Sequence, residues 1–336
     1  MPSAGNTSLP FSPAELSYLH SSFSSIPPIR SDSRSSTDFR ALSAETGVLP
    51  LTNGSAHVSF SDGSEAIVGV KLEIEKTTSL APTTDSAPGP NESGFISKTS
   101  PKWISLSLTL PSLRDDDPSL IYLEEMLREP LMHTSLASKL IINSRFHWHI
   151  YIDVLLISPH GLSAYPLPLL SMATHLALRE TRTPRLKSEG EEDPIADDDW
   201  MASTHLYPSN SAERPPVTLL VAAVGDNVLF DPSHEELKVA DAIIAISVGQ
   251  EGSEEGWKIL ATRMIDTPAR DTMKGVPKDG EPDQQMTMEV QGVWRPKVGG
   301  IKRNVLKNIV KLVLSGGVAQ DVMRGLDKFA VKEATS

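Results

Sequence analysis

Two histidines, His147 and His149, stand two apart at the start of the apolar run Trp148–Ile157. On a strand that spacing puts both imidazoles on one side, where they could grip a divalent metal ion. No third ligand is evident nearby, so the plain reading is the polar outer face of a half-buried strand, with no metal and no cofactor. A second constellation, Asp231-Pro-Ser-His234-Glu235-Glu236, gathers acids and an imidazole into one turn. Ser233 and Glu236 have the spacing of a capping box, and the cluster reads as a capped, solvated helix start. Lys302, Arg303, Lys307 and Lys311 could contact phosphate. They also fall opposite an apolar stripe of Ile301, Val305, Ile309 and Val313, as on a solvent-facing helix. Neither GxGxxG nor GxxxxGK[ST] occurs, nor HExxH, an EF-hand loop or a Gly-x-Ser-x-Gly elbow. There is no cysteine, which removes thiolate nucleophiles, disulfides and cysteine-based zinc sites together.

The elements that must hold these residues follow from period and punctuation. Ser12-Pro13-Ala14-Glu15 opens a short helix carrying Leu16, Leu19 and Phe23. Residues 39–74 read as strands with turns at Asn53-Gly54 and Asp62-Gly63. Asp117-Pro118 starts a helix expected to break near Pro130, and a short helix follows over 133–142. The strand at 148–157, a turn at Pro159-His160-Gly161 and a helix through Leu167–Leu178 make an α/β layer. Strands recur at 217–224, 228–230 and 243–248, and two helices end the chain, parted by Gly316-Gly317. These features divide the chain into an N-terminal helix and arm (1–28), a first half (29–187), an acidic flexible linker (188–213) and a second half (214–336). Three segments read as flexible insertions: the Thr/Ser/Pro-rich 76–98, the acidic 188–212, and the Pro/Asp/Lys/Gly-rich 266–285.

A chain of 336 residues, 39% apolar, can bury a large core. The net charge of −12 argues against a protein that coats nucleic acid unaided. The first residues lack a basic and an apolar region in succession, and the longest apolar runs are too short to span a bilayer, so the expected setting is intracellular.

Several segments, in order, resemble the RNase PH superfamily, in particular the eukaryotic exosome ring subunits of the ribosomal-RNA-processing type. They are Leu16–Leu19, Arg30-Ser31-Asp32-Ser33-Arg34 (an Arg-x-Asp-Gly-Arg signature with Ser33 for the glycine), Ser61–Val68, Tyr151–Leu156, Leu178–Pro184 and Val224–Pro232. The resemblance spans most of residues 15–250. It implies an RNase PH-like α/β (α+β) fold, two sheet-and-helix halves in one compact domain. Active members carry two aspartates on the strand-to-helix turn of the second half. Here the first is the remnant Asp231, and the second position holds Leu237, which can neither ligate a metal nor move a proton. The Asp-Gly-Gly turn of active members is Ser158-Pro159-His160. The RNA-facing arginine loop reads Arg114-Asp115-Asp116-Asp117, whose acids would repel phosphate. Arg145 falls near a phosphate-contacting arginine of active relatives; Arg145 and Arg114 are the RNA-contact candidates.

The implied role is a non-catalytic subunit in a six-membered ring. Its partners would be other RNase PH-like subunits, cap proteins of the OB/KH type, attached nucleases, and single-stranded RNA threading the channel, with no membrane. The implied locations are nucleus, nucleolus and cytoplasm. The rival readings are a phosphorolytic 3′→5′ exoribonuclease, alone or through a composite site, and an independent RNA-binding module.

Overall fold

The computed structural model describes residues 11–77, 101–188, 190–208, 211–250, 256–265 and 300–330. The expected insertion at 266–285 lies outside them, as do residues 78–98 of the first one.

Helix α1 (Pro13–Ser24) starts with the capping box anticipated from Ser12 and Glu15, and buries Leu16 and Phe23. Strands β1 (Leu42–Thr46), β2 (Gly54–Phe60) and β3 (Glu65–Lys76) form an antiparallel meander. Asn53-Gly54 is not its hairpin turn. β2 begins at Gly54, where a Cβ would lie 2.5 Å from the Thr181 hydroxyl oxygen, so the glycine permits close approach rather than chain reversal. Strand β4 (Ile104–Thr109), α2 (Pro118–Met132) and a single turn, α3 (Leu136–Lys139), follow. α2 runs through Pro130 and ends two residues later; the expected break is absent. β5 (Phe146–Ile157) then pairs antiparallel with β3 and parallel with β4, giving the order β1-β2-β3-β5-β4.

α4 (Leu167–Glu180) is buried from Leu167 to Arg179, on every side. Such a helix belongs inside a core rather than on it. It packs on β2 and β3 on one side and on the second sheet on the other. After the short strands β6 (Arg182–Thr183) and β7 (Thr204–His205), that sheet comprises β8 (Arg214–Val224), β9 (Asn227–Phe230), β10 (Ala242–Gln250) and β11 (Trp257–Ile265), in the order β11-β10-β8-β9. α5 (His234–Val239) connects β9 to β10, and α6 (Arg303–Leu314) and α7 (Val318–Ala330) pack on each other, α7 also on α4.

The segment expected to be a flexible acidic linker is tied down where it is described. Leu186 bridges Ala196, the Lys187 ammonium lies 3.0 Å from Asp197, and Leu206 and Tyr207 are buried. Asp193 and Asp197 are held by basic residues of the first half, and Leu206 and Tyr207 reach the core while Ile195, Trp200 and Met201 stay exposed.

Candidate functional site

Asp231 follows directly on β9 in the left-handed region (φ 45°), a conformation aspartate tolerates better than most residues. Its side chain is fully buried. One carboxylate oxygen accepts from Arg40 Nη2 at 2.6 Å. The other accepts from the Arg40 backbone N–H at 2.8 Å, Arg40 Nε at 2.9 Å and Arg34 Nη1 at 3.1 Å. Four donors from two arginines thus hold the carboxylate, three of them on one oxygen and one on the other. The Arg40 guanidinium also reaches Asp62 at 2.6 Å and lies 4.6 Å over the Phe60 ring. Burial would lower the Arg40 pKa, but Asp231 and Asp62 reverse this and hold it above its ordinary value.

Arg30 is saturated. Nε and Nη2 grip Glu236 at 2.7 and 2.9 Å. The remaining N–H groups reach the carbonyls of Ser35, Phe230 and Asp231. All five guanidinium donors are thereby used. Glu236 in turn closes the α5 capping box on the Ser233 backbone N–H at 2.8 Å. Three guanidiniums (Arg30, Arg34, Arg40) thus meet four carboxylates (Asp32, Asp62, Asp231, Glu236), one negative charge in excess. An anion such as phosphate finds no positive field here. Leu237 sits one residue on, wholly buried. The Ser158-Pro159-His160 turn reaches the same corner: Ser158 lies within hydrogen-bond distance of Ser64, and the His160 ring stacks on His234 at 5.4 Å.

Comparison with known proteins fits this fold. The family model described as "3′ exoribonuclease family, domain 1" matches residues 38–184. The exosome complex component RRP42 of Saccharomyces cerevisiae is 31% identical over 241 residues, covering 70% of this chain and 80% of the relative. The chain belongs to the RNase PH family. Its Schizosaccharomyces pombe relative, exosome complex component rrp42, is 29% identical over 262 residues, 74% of this chain and 81% of that one. A chain of the Archaeoglobus fulgidus exosome with RNA bound to the active site shares the fold, with a TM-score of 0.58 at 16% identity, over 93% of this chain and 97% of that one.

Within the RNase PH frame, the candidate residues separate. Ser33 sits in the left-handed region at φ 62°, a conformation that favours glycine. Arg114 lies beyond the C-terminal end of β4, with 87% of its side chain exposed and its Nε 3.2 Å from Asp116. Arg145 precedes β5 at the opposite end of the sheet. β5 is 12 residues long, so Arg145 is about 35 Å from the turn that packs near Asp231. Its guanidinium donates to the Glu191 carbonyl and pairs with Asp193 at 3.2 Å. Arg145, Arg114 and Asp231 therefore do not form one site in this chain. Nothing in the sequence marks Arg40 as a partner of Asp231. The capping spacing marks Glu236, but nothing local marks its pairing with Arg30.

His147 and His149 do face the same way, and the reading that they lack a third ligand is corrected. Glu75, across the ladder from His147 on β3, turns its carboxylate toward both.

Proposed function

We propose that the chain is a non-catalytic subunit of an RNA exosome ring, supporting 3′→5′ RNA processing and degradation by helping to build the channel through which RNA passes. The observation that carries the reading is Leu237, wholly buried beside an Asp231 whose carboxylate is paired with both Arg34 and Arg40. A leucine there can neither hold a metal nor donate a proton to a leaving oxygen, and Asp231 is engaged by two guanidiniums. The relatives named exosome complex components support the assembly part of the reading. The ring would be completed by other RNase PH-like chains, with OB/KH-type cap proteins and nucleases attached, in nucleus, nucleolus and cytoplasm. Arg145 and Arg114 are its RNA-contact candidates, at separate ends of the sheet.

The test is phosphate-dependent shortening of labelled single-stranded RNA by the full chain, by an RNase PH-like partner, and by the pair. The expected result is no activity from the chain and no gain on adding it to the partner. Activity of the chain alone, or a gain in the pair, would overturn the non-catalytic reading. Gentle purification of the tagged chain from its own cells should recover the other ring chains in stoichiometric amounts.

A further inference from the structure

The outer face of the first sheet carries a three-residue cluster away from the Asp231 corner. β3 and β5 pair antiparallel, with Glu75 opposite His147 and Glu73 opposite His149. Glu75, His147 and His149 therefore share one face, and one ligand atom of each lies within 4.8 Å of the others. His149 Nδ1 is 3.0 Å from Glu75 Oε2, and His147 Nε2 is 3.9 Å from the same oxygen. Ligands at about 2.0–2.1 Å from a tetrahedral ion stand about 3.3 Å apart, so small side-chain rotations would close these three on one centre.

The surrounding groups orient each ligand atom inward. His147 Nδ1 is 3.0 Å from the Thr77 hydroxyl, and His149 Nε2 is 2.8 Å from the Ser105 hydroxyl. With those nitrogens donating, His147 Nε2 and His149 Nδ1 keep free lone pairs. Tyr151 O–H donates to Glu75 Oε1 at 3.0 Å, leaving Oε2 toward the histidines. Outer partners of this kind fix tautomer and ring orientation in metal sites. Stacking holds the rings as well, Trp103 on His147 at 4.3 Å and Tyr151 on His149 at 4.2 Å. His147 is 3% exposed, yet its Nε2 has no hydrogen-bond partner. A buried ring nitrogen left without a partner costs free energy that a bound cation would recover.

We propose that Glu75, His147 and His149 bind a divalent transition-metal ion of the zinc class, which staples the end of β3 to the start of β5. Two imidazoles and one carboxylate suit zinc-like ions rather than Mg²⁺ or Ca²⁺, which prefer all-oxygen shells. Glu75 is the exposed member and forms the entry side. Thr77, just past β3, and Trp103, just before β4, flank the ion, so it would fasten both ends of the connection between those strands.

The full-length chain, stripped with EDTA, is titrated with Co²⁺ followed by visible absorption, then with Zn²⁺ in competition. One equivalent of Co²⁺ should give the visible bands of a low-coordinate site, displaced by Zn²⁺, and Zn²⁺ but not Mg²⁺ should raise the melting temperature. Glu75→Gln and His149→Gln should each weaken Zn²⁺ at least tenfold with the circular dichroism spectrum retained. His57→Gln, on β2, should leave affinity unchanged. The proposal is overturned if the wild-type chain shows no such bands, or if Glu75→Gln binds as tightly as wild type.

Discussion

Arg30 and Glu236 lie 206 residues apart in sequence, and they meet through two charge-assisted hydrogen bonds of 2.7 and 2.9 Å with both side chains out of solvent. The pair fastens the segment that follows α1 to the first turn of α5, and so joins the start of the first half to the second sheet. Removing one member leaves a buried charge alone, which typically costs about 3–5 kcal/mol. Arg30→Ala should therefore lower the unfolding free energy, read from urea denaturation, by that order. Arg30→Lys should recover little, because an ammonium cannot reproduce the two-pronged grip. A Lys variant as stable as wild type would show that the charge alone matters there.

Ser33 offers the opposite sign. A non-glycine residue in the left-handed region is disfavoured by about 1–2 kcal/mol, while glycine loses more freedom on folding by about 0.5–1 kcal/mol. Ser33→Gly should come out stabilising by roughly 0.5–1 kcal/mol in denaturant unfolding. A destabilised variant would mean that the Ser33 side chain does more than occupy a turn.

What the sequence reveals about this molecule tracks the range of the interaction. The capping boxes at Ser12/Glu15 and Ser233/Glu236 are local, and both helices start where the spacing places them. β4 and β11 escaped notice for a physical reason. β11 is an outer strand whose exposure does not alternate, so it carries no clean period of two; β4 (Ile-Ser-Leu-Ser-Leu-Thr) does alternate, but it is a short edge strand directly after a Pro/Ser-rich stretch that reads as loop. The same limit hid Glu75, which joins His147 and His149 only through the register of β3 on β5. Asp231 could be singled out by resemblance, but its four bonds come from Arg34 and Arg40, far away in the chain. No local pattern announces that a would-be catalytic acid is paired with two arginines.

His175 predicts an acid-side weakness. Burial, followed by the charges of Arg179 and Arg214, lowers its pKa from 6.5 to about 3, and its Nδ1–H donates to the Pro215 carbonyl at 2.8 Å. Between those two values the unfolded chain takes up a proton that the folded chain refuses. The contribution is complete above pH 6.5 and is lost progressively toward pH 3, at up to about 1.4 kcal/mol per pH unit. His175→Gln keeps a donor for Pro215 and cannot titrate. Its stability should fall less than that of wild type between pH 7.5 and 5.5, by about 1 kcal/mol in urea unfolding. Equal slopes would place the acid sensitivity elsewhere.

Arg145 tests what holds the acidic segment. Its pair with Asp193 is exposed, and such pairs contribute about 0–1 kcal/mol, so Arg145→Ala should barely move global stability. Residues 190–193 should instead become faster to cut in limited proteolysis, since Arg145 and Asn143 bind the carbonyls of Gly190, Glu191 and Glu192. An unchanged digestion rate would assign that anchoring to Lys187 and Asp197.

Restoring the missing acid separates the two explanations for silence at the Asp231 corner. If Leu237 alone abolishes chemistry, Leu237→Asp should bring back phosphate-dependent RNA shortening in the assembled pair. The geometry argues that it will not. Asp231 would still be held by Arg34 and Arg40, whose positive charges compete with a metal ion for its carboxylate. The new carboxyl would replace a side chain with no solvent exposure, in a helix packed on α1 and β8, and should cost several kcal/mol or stay protonated. The expected variant is folded but less stable, and inactive. RNA shortening by that variant, dependent on phosphate and a divalent cation, would mean that the arginines release Asp231 when a second acid stands beside it.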